Sequence, residues 1–266
     1  MASSVAGEIG PGVSVGRVFS RAFGVMASNP VTMFGISFLL GAVPSGVIGY
    51  LRQTMRGAVV DRYAAIGIGA ISIASAVITL VLAMLVQGAL VRATIAYNEG
   101  RRASLSESAS AGLAVALPLL GLAILMGLGI GLGTILLLVP GVILFVMWSV
   151  ASPALVEERI GIFDAFGRSS ALTKGARWKI FGLELVVLVV IWLLSAILGV
   201  LILMTYGLGG LQAVTRTGLP ISWLILNAAF STILTTFWGA VQTSLYVELR
   251  NWKEGPSARG LKDIFA

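Results

Sequence analysis

Charged residues are spaced so widely along this chain that the gaps between them set its elements. Five stretches free of Asp, Glu, Lys and Arg are long enough to cross a bilayer: Ala22 to Leu51, Tyr63 to Val91, Ser108 to Val156, Leu185 to Thr215 and Thr217 to Val247. A spanning helix needs about 20 apolar residues, each rising about 1.5 Å. As one helix the third stretch would be roughly 73 Å long, more than twice a hydrocarbon core of about 30 Å, so it must fold back. Pro140 and Gly141 mark the expected hairpin break, because proline stops a helix and glycine permits a tight reversal. The pattern therefore predicts six spans, at about 31–51, 65–96, 112–138, 141–156, 181–206 and 220–248.

Ahead of span 1, Val18, Phe19, Ala22, Phe23 and Met26 share one helical face, with Arg17 and Arg21 four apart elsewhere. That pattern predicts a helix lying in the membrane interface. Asn29-Pro30 then marks a boundary, since proline disfavours a helical residue before it and suits the first turn of a new helix. No compact apolar core with an early basic flank and a small-residue cleavage site precedes span 1, so span 1 is itself expected to be the targeting signal. The expected organisation is a cytoplasmic N-terminal segment at 1–30, a six-span domain at 31–248 with an amphipathic loop at 157–180, and a cytoplasmic tail at 249–266.

Glycine is dense in span 3, where Gly127, Gly129, Gly131 and Gly133 form two overlapping GxxxG pairs. Ala65, Gly69, Ser72, Ala76 and Thr79 give span 2 a small-residue stripe. Both patterns let helices approach closely in lipid. A nucleotide-binding loop is excluded for the glycine run, which follows no strand and sits inside a span.

Composition removes whole classes of function. The 266 residues are 58% apolar and 11% charged, with a mean hydropathy of +1.00, against about 45–50% and about 25% for a soluble domain. With neither Cys nor His, the chain offers no disulfide, thiol nucleophile, imidazole base or Cys/His metal site. No cofactor is expected. Fourteen of the 18 Lys and Arg residues fall on the side of the six-span topology that carries both termini, and only Arg52, Arg56, Arg62 and Arg216 fall on the other. This asymmetry predicts cytoplasmic termini. The cations lie around span ends, so lipid headgroups explain the basic pI of about 10.2 better than nucleic acid does.

In the loop after span 4, Ile162, Ala165, Phe166, Ser169 and Leu172 recur at helical spacing, with Asp164, Arg168 and Lys174 largely off that face. A short amphipathic helix is expected there, against the membrane or against the bundle, with Gly175 as its stop.

The run Leu138 to Val142, Trp148 to Glu157 with Pro153 inside it, Asp164 to Ser169, Gly175 to Lys179, and the closing Ser244 to Arg250 followed by Lys253-Glu254-Gly255 resemble the six-helix membrane-domain family attached to some bacterial glycerophosphodiester phosphodiesterases. The segment from Arg17 to Pro30 fits that family's opening interfacial helix. The resemblance spans nearly the whole chain and implies a bacterial cytoplasmic membrane. Stand-alone members are, as the resemblance implies, mostly of undefined function. The family's enzymatic members carry a separate soluble barrel that uses histidines and metal-binding carboxylates. This sequence has no region for such a barrel and no histidine, so phosphodiesterase activity is not expected.

Three groups of residues are candidates for function. Glu184 is the one acid near a span interior, readable as a cation or proton site or as an interfacial carboxylate paired with a neighbour. Asn227, Ser231, Thr235, Gly239 and Gln242 share one face of span 6, with Gln87 in span 2 as a possible companion. Such a stripe either packs through interhelical hydrogen bonds or lines a polar cavity. Arg168, Lys174, Arg177 and Lys179 could hold anionic headgroups or simply anchor the cytoplasmic side. Trp148, Trp178, Trp223 and Trp252 fall near predicted span ends, where indole belongs. The expectation is an all-α integral membrane protein without catalytic activity that interacts with membrane lipids, anionic ones among them, or with partner membrane proteins. The alternative is a transporter or channel with a polar path along span 6.

Overall fold

A computed structural model describes residues 12–56, 62–217 and 220–255, and the described residues are helical with no strand. The N-terminal segment before residue 12, part of the loop between spans 1 and 2, and the last 11 residues of the expected tail lie outside them. Six helical stretches are long and apolar enough to cross a membrane: Pro30–Thr54, Gly69–Asn98, Leu105–Leu136, Leu138–Glu158, Arg177–Gly207 and Ile221–Glu254. The chain is a multi-pass membrane protein by this measure.

Helix α1 (Val15–Ser28) is capped by the Ser14 side chain, which accepts from the Arg17 N–H. Most of its apolar face packs on protein, while Phe23 stays 56% exposed. Val18, Ala22 and Val25 are buried in the protein core, and Phe19 stacks on Phe237 at 6.4 Å between ring centroids. The helix expected to rest on the membrane interface is thus docked on the last span. Asn29 ends it and Pro30 opens α2 (Pro30–Gly35), as proline suits a first turn.

Span 1 continues from α2 through a π-helical stretch, Ile36–Ala42, into α3 (Val43–Arg56). Span 2 is α4 (Arg62–Asn98) and span 3 is α5 (Leu105–Leu136). These two cross most closely at Gly88 and Gly112, where a Cβ on Gly88 would stand 3.1 Å from the Gly112 Cα. Only one of the two GxxxG pairs in span 3 is used in packing. A Cβ on Gly129 would strike the Trp148 ring and one on Gly133 would meet the Gly141 backbone, whereas Gly127 and Gly131 have nothing within 4 Å.

The hairpin between spans 3 and 4 turns at Leu137 (φ −159°, ψ 137°), three residues earlier than Pro140. Pro140 and Gly141 instead lie in the first turn of α6 (Leu138–Met147). The reason is physical: proline lacks the N–H that a first turn leaves unpaired anyway, and Gly141 is needed for contact, since a Cβ there would lie 2.9 Å from the Thr134 Cα.

After a break near Trp148, α7 (Ala151–Glu158) completes span 4, and the left-handed Arg159 (φ 50°) ends it. The amphipathic helix forms as α8 (Ile162–Thr173), with Ala165, Ser169 and Leu172 buried. It packs on the bundle: the Ser169 hydroxyl donates to the Met147 carbonyl at 2.9 Å, and Phe166 lies 4.6 Å from Trp148 between centroids. Gly175, in the left-handed region at φ +88°, lets the chain turn into the next span.

Span 5 is α9 (Arg177–Thr217), interrupted at Gly207. Ile180, Leu183 and Val187 are buried, but beyond them most of its large apolar side chains, including Leu188, Trp192 and Ile197, are exposed. Span 6 is α10 (Ile221–Glu254), whose second half is buried almost continuously from Gly239 to Leu249. It is the central post of the fold, meeting α1, the π-helical stretch, α4 and α8.

Candidate functional site

The cations of the loop after span 4 do different jobs. Arg168 is held in an ion-pair network: its Nε donates to Glu158 at 2.8 Å and its other end pairs with Glu254. Arg250 pairs with Glu157 at 3.5 Å and with Glu254, and the Tyr246 hydroxyl donates to Glu158 at 2.8 Å. Burial alone would lower the Arg168 pKa, but hydrogen bonds to Glu158 and Glu254 outweigh it and raise the value. The network ties α7, α8 and α10 together, so Arg168 is a fastener between helices rather than a cation free for headgroups. Lys179 donates to the Val13 carbonyl at 3.2 Å and fixes the lead into α1.

Arg177 and Lys174 remain. Lys174 is exposed. Arg177 is partly buried, and its Nε is sealed from solvent without a hydrogen-bond partner among the described residues. Beside it runs a groove of about 360 Å³ walled by Leu138, Val139, Val142, Ile143, Val146 and Phe181, with Trp178, 87% exposed, at the same end as Arg177. One cation therefore stands at the end of an otherwise apolar slot between α6 and α9.

The polar stripe of span 6 divides. Its lower member, Gln242, is 4% exposed and donates to Glu184 Oε1 at 2.9 Å; Glu184, also 4% exposed, is therefore paired across the helix interface. Glu184 Oε2 and Gln242 Oε1 are left without a partner among the described residues. The upper members, Asn227, Ser231 and Thr235, face a cleft of about 500 Å³ bounded by span 1, α4 and α10. Gln87 and Thr79 line it from α4 and Ser45 from α3, and among the described residues no charged side chain lines it. Gln87 thus joins the upper part of the stripe.

Some of these hydroxyls are satisfied by their own helices, as Ser231 donates to the Ala228 carbonyl and Thr79 to the Ser75 carbonyl. The amides of Asn227 and Gln87 make no hydrogen bond within the described residues. An amide denied hydrogen bonds in a hydrocarbon-like medium costs about 4–8 kcal/mol, so such groups belong where water or a polar ligand reaches them. The π-helical stretch borders this cleft through Ser37 and Gly41. Its Ser37 hydroxyl lies 2.8 Å from Thr236 Oγ1, linking spans 1 and 6 just behind the cleft wall.

The sequence reading missed Glu248. This residue is 4% exposed and receives Arg17 Nε at 2.9 Å and the Ser14 N–H at 3.2 Å, with Arg21 3.6 Å away. Burial lowers the Arg21 pKa, and Glu248 partly offsets that. A signal was present, because Arg17 and Arg21 on one helical face ask for a carboxylate and the chain has only 11 acids. No family model, curated protein or solved structure matches the chain.

Proposed function

We propose that this chain is a non-catalytic multi-pass membrane protein that holds an anionic phospholipid in the groove between α6 and α9. The observation that carries the reading is the Arg177 guanidinium, a permanent cation that lines an otherwise apolar slot and has no ion-pair partner among the described residues. An acyl chain suits the slot, and a phosphodiester suits a guanidinium that offers two parallel N–H donors. Lys174, three residues earlier and exposed, adds a second cation, and Trp178 has the character of an interfacial anchor. The positive-inside asymmetry favours cytoplasmic termini, which puts this end of the groove at the cytoplasmic leaflet of a bacterial membrane. Membership of the six-helix membrane-domain family belongs to the same proposal and rests on the motifs around Pro140, Asp164 to Ser169 and Ser244 to Arg250.

The test is lipid retention. The protein is reconstituted with mixed phosphatidylglycerol and phosphatidylcholine, extracted in mild detergent and weighed by native mass spectrometry. Two cations at about 1 kcal/mol each predict a preference for phosphatidylglycerol of roughly 30-fold. That preference is lost in Lys174→Gln/Arg177→Gln and blocked by Val142→Trp, which fills the groove. Equal retention of the two lipids, or an unchanged preference in both variants, refutes the reading.

A further inference from the structure

The cleft between spans 1, 2 and 6 lies away from the groove of α6 and α9, and its chemistry is different. Among the described residues its walls carry hydroxyls and amides from three spans and no charge; Arg52, a cation on α3, is not among the lining residues. Two of the amides, Asn227 and Gln87, have every donor and acceptor free of protein partners among the described residues. Ser45 and Thr235 add hydroxyls that likewise bond to nothing described.

The lining is also shaped by missing side chains. Gly46 and Gly49 face open space, with no atom within 4 Å of where a Cβ would stand, and Gly41 would place a Cβ 3.2 Å from Val86. The glycines of α3 therefore leave room on the cleft side instead of pressing against a neighbouring helix. Packing among the described residues does not explain them.

We infer that this cleft is a hydrated binding site for a small uncharged solute bearing several hydroxyl or amide groups. Asn227 and Gln87 would each offer two N–H donors and a carbonyl acceptor from opposite helices, and Ser45 and Thr235 would complete the set. With no fixed charge among the described lining residues, these groups do not offset the desolvation of an ion, so neutral solutes are favoured over charged ones.

The natural absence of cysteine makes the test clean, because any introduced thiol is unique. Ser231→Cys and Thr235→Cys place a thiol in the cleft, Ile233→Cys places one on the exposed apolar face of the same helix, and Lys174→Cys gives an aqueous reference. The full chain in lipid nanodiscs is treated with an uncharged hydroxyethyl methanethiosulfonate reagent, which reacts with the thiolate that forms only where water reaches. The expected result is that both cleft positions react at least tenfold faster than Ile233→Cys, although Ile233 is 53% exposed. Glycerol is expected to slow the cleft positions at least threefold while leaving Lys174→Cys unchanged. Sodium glutamate at equal osmolality is expected to have no such effect. Adding Gly46→Phe, which enters open space, is expected to slow the cleft positions at least tenfold while the protein still elutes as a folded species. Reaction no faster than at Ile233→Cys would overturn hydration of the cleft. Fast reaction that glycerol does not slow, or that glutamate slows equally, would overturn the uncharged-solute site. Fast reaction unaffected by Gly46→Phe would overturn this cleft as its location.

Discussion

Replacing Gly112 and Gly127 by alanine, one at a time within α5, separates close packing from helix propensity. Both substitutions add one methyl group to the same helix, and in a helix interior alanine is favoured over glycine by about 0.8–1.0 kcal/mol. At Gly127 the new Cβ meets nothing within 4 Å, so the propensity gain stands alone. At Gly112 it would lie 2.3 Å from the Leu85 carbonyl oxygen and 2.9 Å from the Ala89 nitrogen. Both obstacles are backbone atoms of α4, which cannot rotate away. Relief requires the helices to part by about 1 Å, and a gap of that size forfeits about a quarter to a half of each contact's attraction along the seam. Overpacking of this kind costs about 1–3 kcal/mol. The propensity gain is common to both, so the two variants should differ by the overpacking cost of about 1–3 kcal/mol, with Gly127→Ala more stable than the natural protein and Gly112→Ala equal to it or less stable by up to about 2 kcal/mol. Equilibrium unfolding in mixed micelles with increasing SDS, followed by circular dichroism, measures the difference. Equal midpoints for the two variants would refute the close approach of spans 2 and 3.

The Glu184 and Gln242 pair should behave as a unit. Gln242→Leu strands a buried carboxylate and is expected to destabilise by about 2 kcal/mol or more, whereas Glu184→Leu/Gln242→Leu is expected to recover at least about 1 kcal/mol of that; additive effects in a double-mutant cycle would count against the pairing. Glu248→Gln removes the charge that Arg17 and Arg21 share. With Arg17 partly exposed and screened, the expected loss is about 2 kcal/mol of α1 docking, read as tryptic cleavage at Arg17 and Arg21 faster by roughly tenfold or more; an unchanged cleavage rate would show that the apolar face of α1 holds it without the ion pair.

The spans were legible because a charge-free run of sufficient length has few alternatives in lipid, and Asn29-Pro30 and Gly175 acted as the local boundaries their backbone preferences indicate. Contacts between spans were less legible. The GxxxG run in span 3 offered two equivalent faces, and nothing in the spacing told that Gly129 and Gly133 meet span 4 while Gly127 and Gly131 meet nothing. Gly88 and Gly112 were overlooked because each is isolated in its own span and acquires meaning only when the helices cross. Pro140 misled by three residues, since the same lack of an N–H that ends one helix also suits the first turn of the next. In span 6 the four-residue spacing found a polar face but could not divide it, because the switch from cleft to Glu184 pairing depends on which helix lies opposite at each level. Apolar faces in α1 and α8 were identified as faces; α8 packs on the bundle, one of the two partners its pattern allowed, and most of the α1 face packs on protein instead of resting on the interface.

The clasp between Arg17 and Glu248 joins positions 231 residues apart, nearly the whole length of the chain. During synthesis the first helix emerges long before the carboxylate that fixes it. At about 5–20 residues per second the wait is roughly 10–50 s. Throughout that interval Arg17 and Arg21 lack the Glu248 carboxylate, and the part of the α1 face that α10 covers is open to the membrane surface. The final span then works as a latch, and a ribosome that stalls before residue 248 leaves the opening helix without the carboxylate that fixes Arg17 and Arg21.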